Sequence, residues 1–102
     1  MVVSVLRLRI ELPGTTSLKE KRRVVTSIKE RVGSRFKVCA AEIAANDDIR
    51  RAVMAFAVVS NNAVHAESVL QKAMHFIERT VPNRVSDAHV FTEHYYSEDE
   101  ID

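Results

Sequence analysis

Val2-Val3-Ser4-Val5-Leu6-Arg7-Leu8-Arg9-Ile10-Glu11, then Leu12-Pro13-Gly14-Thr15-Thr16, then Ser17-Leu18-Lys19-Glu20: this opening run decides how the chain folds. Over the first stretch Val2, Ser4, Leu6, Leu8 and Ile10 alternate with Val3, Val5, Arg7, Arg9 and Glu11, the two-residue period of a strand with one core face and one mixed face. Pro13 and Gly14 break it. Ser17 and Glu20 have the spacing of a capping box, the serine accepting from helix amides while the glutamate reaches back. Helix one is therefore predicted from Leu18. Leu18, Val25, Ile28 and Val32 share one stripe with Val24 at its margin, and Gly33 is placed to end the helix.

The same grammar repeats downstream. Arg35 to Ile43 reads as strand two, with Phe36, Val38 and Ala40 on one face and Lys37, Cys39, Ala41 and Ile43 on the other. Ala45-Asn46-Asp47-Asp48 favours a turn. Strand three, Ala52 to Val59, is apolar on both sides, so both of its faces need cover. Ser60-Asn61-Asn62 supplies N-caps for helix two, whose stripe of Ala66, Val69, Leu70, Ala73, Phe76 and Ile77 runs to about Thr80. Val81-Pro82-Asn83 stops it, Arg84 to Tyr96 forms strand four, and residues 97–102 form an acidic tail expected to fray.

Right-handed crossovers through each helix place strands one and three side by side, expected to run parallel, with strands two and four outside them and antiparallel. The expected fold is α+β: a ferredoxin-like βαββαβ two-layer sandwich, with an antiparallel sheet of order 4-1-3-2, as one domain over residues 1–96. Helices cover only one face of such a sheet. The apolar residues left on the other face, taken as Val3, Val5, Val53, Ala55, Ala57 and Val59, call for a second copy, and a homodimer through that face is expected.

With 102 residues the chain buries roughly two-thirds of its unfolded surface. A content of 46% hydrophobic and 28% charged residues excludes a disordered chain. Arg7, Arg9 and Glu11 interrupt the first apolar stretch and no basic segment precedes it, which argues against a signal peptide or membrane span. A lone cysteine, Cys39, suits a reducing compartment, and a cytoplasmic location is expected. Charge is unevenly spread: residues 1–51 carry twelve Lys and Arg against six Asp and Glu, whereas residues 52–102 carry three against eight. Such halves either present a basic face to an anionic partner or pair with each other, and mutual pairing is the leading expectation.

Few residues point to chemistry. Lys21 falls in the middle of the helix-one stripe, where an unpaired ammonium is costly. Its expected solution is a stem packed on the core with the head reaching water over the first turn. The alternative sets its amine beside Thr15, Thr16 and Ser17, where hydroxyls and helix amides hold a phosphate or carboxylate. Lys19, Arg22, Arg23 and Lys29 share the opposite side of helix one, suited to a phosphate backbone or simply to water. Sheets of this topology that read single-stranded RNA carry stacking aromatics on central strands, and here Phe56 stands alone. His65, His75, His89 and His94 form no chelating pair, so no metal and no cofactor is expected. Cys39 reads as a packed thiol, and Asp47-Asp48 as turn chemistry. Acylphosphatases use an arginine in the loop after strand one. Leu12 to Thr16 contains none.

Val5-Leu6-Arg7, Pro13-Gly14 with Ser17-Leu18-Lys19-Glu20-Lys21-Arg22-Arg23-Val24-Val25, Arg35-Phe36-Lys37-Val38 running to Ala41-Glu42, and Val58-Val59-Ser60-Asn61 together resemble the bacterial YlxP-like family. The resemblance extends to about Tyr96. It implies a ferredoxin-like fold and, through a usual gene neighbourhood beside translation initiation and ribosome maturation factors, a link to the ribosome; it supplies no agreed catalytic residues. Where the family tends to a polar segment ending in Gln-Asp and an aromatic, this chain has Ala44-Ala45-Asn46-Asp47-Asp48-Ile49-Arg50-Arg51. The leading functional expectation is a non-enzymatic binding protein docking Lys19, Arg22, Arg23 and Lys29 on structured RNA, such as a ribosomal subunit. The alternatives are a small-anion-binding regulatory or catalytic domain built on Thr15, Thr16, Ser17 and Lys21, and a purely structural dimer module.

Overall fold

Six elements follow one another in the computed structural model, which describes residues 1–96. They are β1 (Val2–Glu11), α1 (Leu18–Phe36), β2 (Cys39–Ala44), β3 (Arg51–Ser60), α2 (Ala63–Thr80) and β4 (Val85–His94). The acidic tail expected over 97–102 lies outside the described residues. Four strands form one sheet in the order β2-β3-β1-β4, which is the expected order.

Every neighbouring pair in the sheet is antiparallel, including β1 with β3, from Val2 opposite Ser60 to Glu11 opposite Arg51. This corrects the parallel orientation expected for those two strands. A crossover through α1 returns the chain in its original direction, so β2 is the strand parallel to β1. The tight β2–β3 connection then reverses the chain, and the strand that slots beside β1 runs opposite to it.

The period-two reading of β1 holds residue by residue: Val2, Ser4, Leu6, Leu8 and Ile10 are buried. On β3 the buried set is Ala52, Met54 and Phe56, which assigns Val53, Ala55, Ala57 and Val59 to the open face. Val25, Ile28 and Val32 of α1 and Leu70, Ala73 and Ile77 of α2 close the core from above. Each large aliphatic or aromatic side chain so buried contributes roughly 1.5–3 kcal/mol. Ser4 is tolerated at this depth because its hydroxyl meets that of Thr92, its partner on β4, at 2.7 Å.

Helix one does not stop at Gly33. It runs to Phe36, is capped by Lys37 in a left-handed conformation (φ 57°), and β2 starts only at Cys39. Phe36 accounts for the extra turn, because its ring meets Phe76 of α2 edge-on with centroids 5.7 Å apart. At Gly33 the missing side chain leaves room for the backbone that turns back towards β2: a Cβ there would lie 3.3 Å from the Val38 carbonyl oxygen. Phe36, Val38 and Ala40 do all pack on the core, so their common side was legible although part of their backbone is helix rather than strand.

Candidate nucleic-acid interface

The start of α1 organises the surrounding groups. Ser17 Oγ accepts from the Glu20 amide at 3.1 Å, as the capping box requires. Glu20 reaches back one residue beyond the serine, taking the Thr16 hydroxyl at 2.8 Å and the Thr16 amide at 3.2 Å. Those two bonds hold its carboxyl below the ordinary glutamate range, with the Arg23 charge adding to the effect. Thr15 is buried. The loop hydroxyl of Thr16 and the Ser17 oxygen thus have partners within the chain.

Lys21 is fully buried, head included, which corrects the expected excursion of its amine to water. Its Nζ donates to the Ala45 carbonyl oxygen at 2.5 Å, makes a longer contact with that of Asn46 at 3.4 Å, and lies 2.8 Å from Glu42 Oε2. The approach to Glu42 is an ionic contact without hydrogen-bond angles. Glu42 faces inward because it sits opposite Met54 on β3, just before a bulge that leaves Ile43 half exposed. Ala45 is itself left-handed (φ 61°), and its oxygen also accepts from the Asp48 amide. The ammonium therefore pins the β2–β3 connection beneath α1 and is directed to that connection, not to Thr15, Thr16 and Ser17. Asp48 provides turn chemistry as expected, accepting from the Arg50 amide at 2.9 Å and pairing with Arg51.

On its outer side α1 carries Lys19, Arg22 and Arg23, all exposed, and Lys29, partly buried. The first three line a shallow depression with Thr26, Ser27, Glu30 and Arg31. None of the four sequence candidates forms an ion pair among the described residues. The expected pairing of a basic half with an acidic half reduces there to one contact, Arg9 to Asp87 at 3.5 Å, made possible by a β4 bulge that shifts the register between Arg7 and Arg9. The basic charge of α1 is left to face outward.

A second cationic group was not singled out from the sequence. Arg31 and Arg35 place their guanidinium carbons 5.3 and 5.0 Å from the centre of the Phe76 ring, and Arg35 also lies 5.7 Å from that of Phe36. Arg35 and Phe36 line a cleft between the helices with Lys72, His75 and Arg79. The signal was present as spacing: Arg31 and Arg35 are four apart, and Lys72, Phe76 and Arg79 fall on one face of α2.

The open sheet face carries Val3, Val5, Val53, Ala55, Ala57 and Val59, as expected, and also Phe91, which pairs with Val5 and is 49% exposed. Val59 is 65% exposed. Cys39 is exposed rather than packed and lines a small hollow on this face with Ala41, Ala55 and Ala57. Phe56 points into the core, so it offers no stacking platform. His89 pairs with Arg7 on the open face and His94 with Val2 on the other, and no cluster of three metal-ligating side chains occurs among the described residues. No helix among them is long and apolar enough to cross a membrane.

Comparison with known proteins places this geometry. Among curated proteins, the uncharacterized protein YlxP of Bacillus subtilis (strain 168) is 40% identical over 62 residues, covering 61% of this chain and 67% of that protein. Among solved structures, the de novo designed protein Foldit4 superposes with a TM-score of 0.56 over 93% of this chain and 98% of its own, at 13% identity. A second de novo design, described as having a ferredoxin fold, gives a TM-score of 0.50 over 96% of this chain and 88% of its own, at 14% identity. These two likenesses show the fold alone. Residues 3–90 match the family described as protein of unknown function (DUF503), and the chain belongs to that family.

Proposed function

We propose that this protein is a non-enzymatic RNA-binding protein that lays the outer face of α1 along the phosphate backbone of a structured RNA, with a ribosomal subunit as the first RNA to test. The observation that carries this reading is the row of Lys19, Arg22 and Arg23 on one exposed helix face, without ion-pair partners among the described residues. Cations on such a face release condensed counterions when they meet phosphates, and affinity then falls steeply with salt. Lys29, at the edge of the same face, adds a fourth contact. Co-sedimentation with ribosomal subunits at low and high salt tests the reading: association should be lost when Lys19, Arg22 and Arg23 become glutamate, and association that survives the reversal counts against it.

The reading includes a homodimer in the cytoplasm, joined through the open sheet face. Projecting Phe91 and Val59 share that face with the hollow lined by Ala41, Ala55 and Ala57, so knob and recess occur on one surface, as an isologous contact between two copies needs. Dimerisation by this face leaves both helix layers outward and doubles the basic surface available to one RNA.

A further inference from the structure

We propose that the cations of α1 are one half of a continuous phosphate-binding track that crosses onto α2, with Arg31, Arg35, Lys72 and Arg79 forming the other half. This inference rests on the RNA-binding reading and extends it. The depression along Lys19, Arg22 and Arg23 ends at Glu30 and Arg31, and those same residues begin the next one, which adds Arg35 and Phe76. Arg35 in turn opens the cleft that contains Lys72 and Arg79. Shared residues make the three depressions one groove.

Its dimensions suit a polymer. Lys19 to Arg35 covers about 24 Å of helix at 1.5 Å per residue. That length exceeds the axial rise of about 3.4 Å per phosphate on a DNA strand several times over, so the α1 portion alone spans more than one backbone phosphate. A small anion needs one enclosed pocket, whereas here the positive charge is strung along an open groove whose one lining carboxylate among the described residues is Glu30.

Phe76 decides what part of the RNA is recognised. Both arginines set their guanidinium groups over its ring, within cation–π distance, yet both remain exposed. A guanidinium held by its face keeps its N–H edge for bidentate contact with phosphate oxygens. With arginines occupying the ring, bases have no stacking surface there, so the track reads backbone and tolerates any sequence.

The test is equilibrium binding of a fluorescent RNA hairpin over a range of salt concentrations, comparing the wild type with two variants. One is Lys72→Gln with Arg79→Gln, at exposed positions where the fold is not at stake. The other is Lys19→Gln with Arg22→Gln and Arg23→Gln. The α2 double variant should lower the slope of log affinity against log salt by about two, one per phosphate contact, equally for unrelated hairpin sequences. An unchanged slope in that variant, alongside a loss in the α1 variant, overturns the extended track while leaving the RNA-binding reading intact. Absence of wild-type binding overturns both. Displacement of the hairpin by inorganic phosphate at matched ionic strength shows a discrete small-anion pocket and also overturns the track.

Discussion

Lys21 and Glu42 meet 2.8 Å apart, one on the core stripe of α1 and the other on the inward face of β2, with the lysine fully buried. The contact joins the first turns of α1 to the end of a strand that is otherwise an exposed sheet edge. Truncating one partner strands the other: Lys21→Met leaves Glu42 and the Ala45 carbonyl without their cation, and should cost about 3 kcal/mol in urea denaturation. Adding Glu42→Gln to that variant should recover part of the loss. A single substitution costing less than about 1 kcal/mol would show that the pair does not anchor β2.

Glu20 gives a pH signature. Its bonds from Thr16 lower its pKa in the folded state, so the stabilisation it brings is fully present above the unfolded-state pKa and is lost as pH falls through the folded value. Glu20→Gln should flatten that part of the acid limb in thermal melts. Thr16→Val should raise the carboxyl pKa, read by NMR titration. An unmoved value would place the cause elsewhere.

Lys37 caps α1 from the left-handed region, where a side chain is strained and glycine is not. It is exposed, so replacing it removes no core packing. Lys37→Gly should stabilise the protein by about 0.5–1 kcal/mol, measured as a rise in the denaturation midpoint. A fall would mean that the lysine makes a stabilising contact of its own.

The open sheet face predicts an oligomeric state. Val59→Lys or Phe91→Lys places a charge on an exposed apolar position without touching the core. Either should convert a dimer to a monomer in sedimentation velocity while leaving the melting of the monomer near its former value. A wild type that sediments as a monomer at high concentration would contradict the dimer.

Element order and the core face of β1 were legible because they rest on local grammar, namely alternation from Val2 to Glu11, a cap at Ser17 and cap candidates at Ser60-Asn61-Asn62; sheet order followed from the crossover rule, which did not yield the antiparallel orientation of β1 and β3. Asn62 indeed accepts from the His65 amide at 3.0 Å. What the local pattern missed was set by distant partners. Gly33 reads as a helix stop until Phe76 is there to stack on Phe36 and carry the helix another turn. Lys21 reads as a side chain reaching for water until the β2–β3 connection closes over it with a carboxylate and a carbonyl. Lys19, Arg22 and Arg23 were visible as a helix face. Arg31, Arg35, Lys72 and Arg79 belong to two helices forty residues apart, and only packing brings them to one cleft.

Contact between RNA and the outer face of α1 is tested directly by co-sedimentation with ribosomal subunits. Wild-type protein should pellet with subunits at low salt and be released at high salt. The variant carrying Lys19→Glu, Arg22→Glu and Arg23→Glu, with unchanged melting behaviour, should stay in the supernatant at both. A wild type that never pellets, or a variant that pellets as the wild type does, would contradict RNA binding by this face.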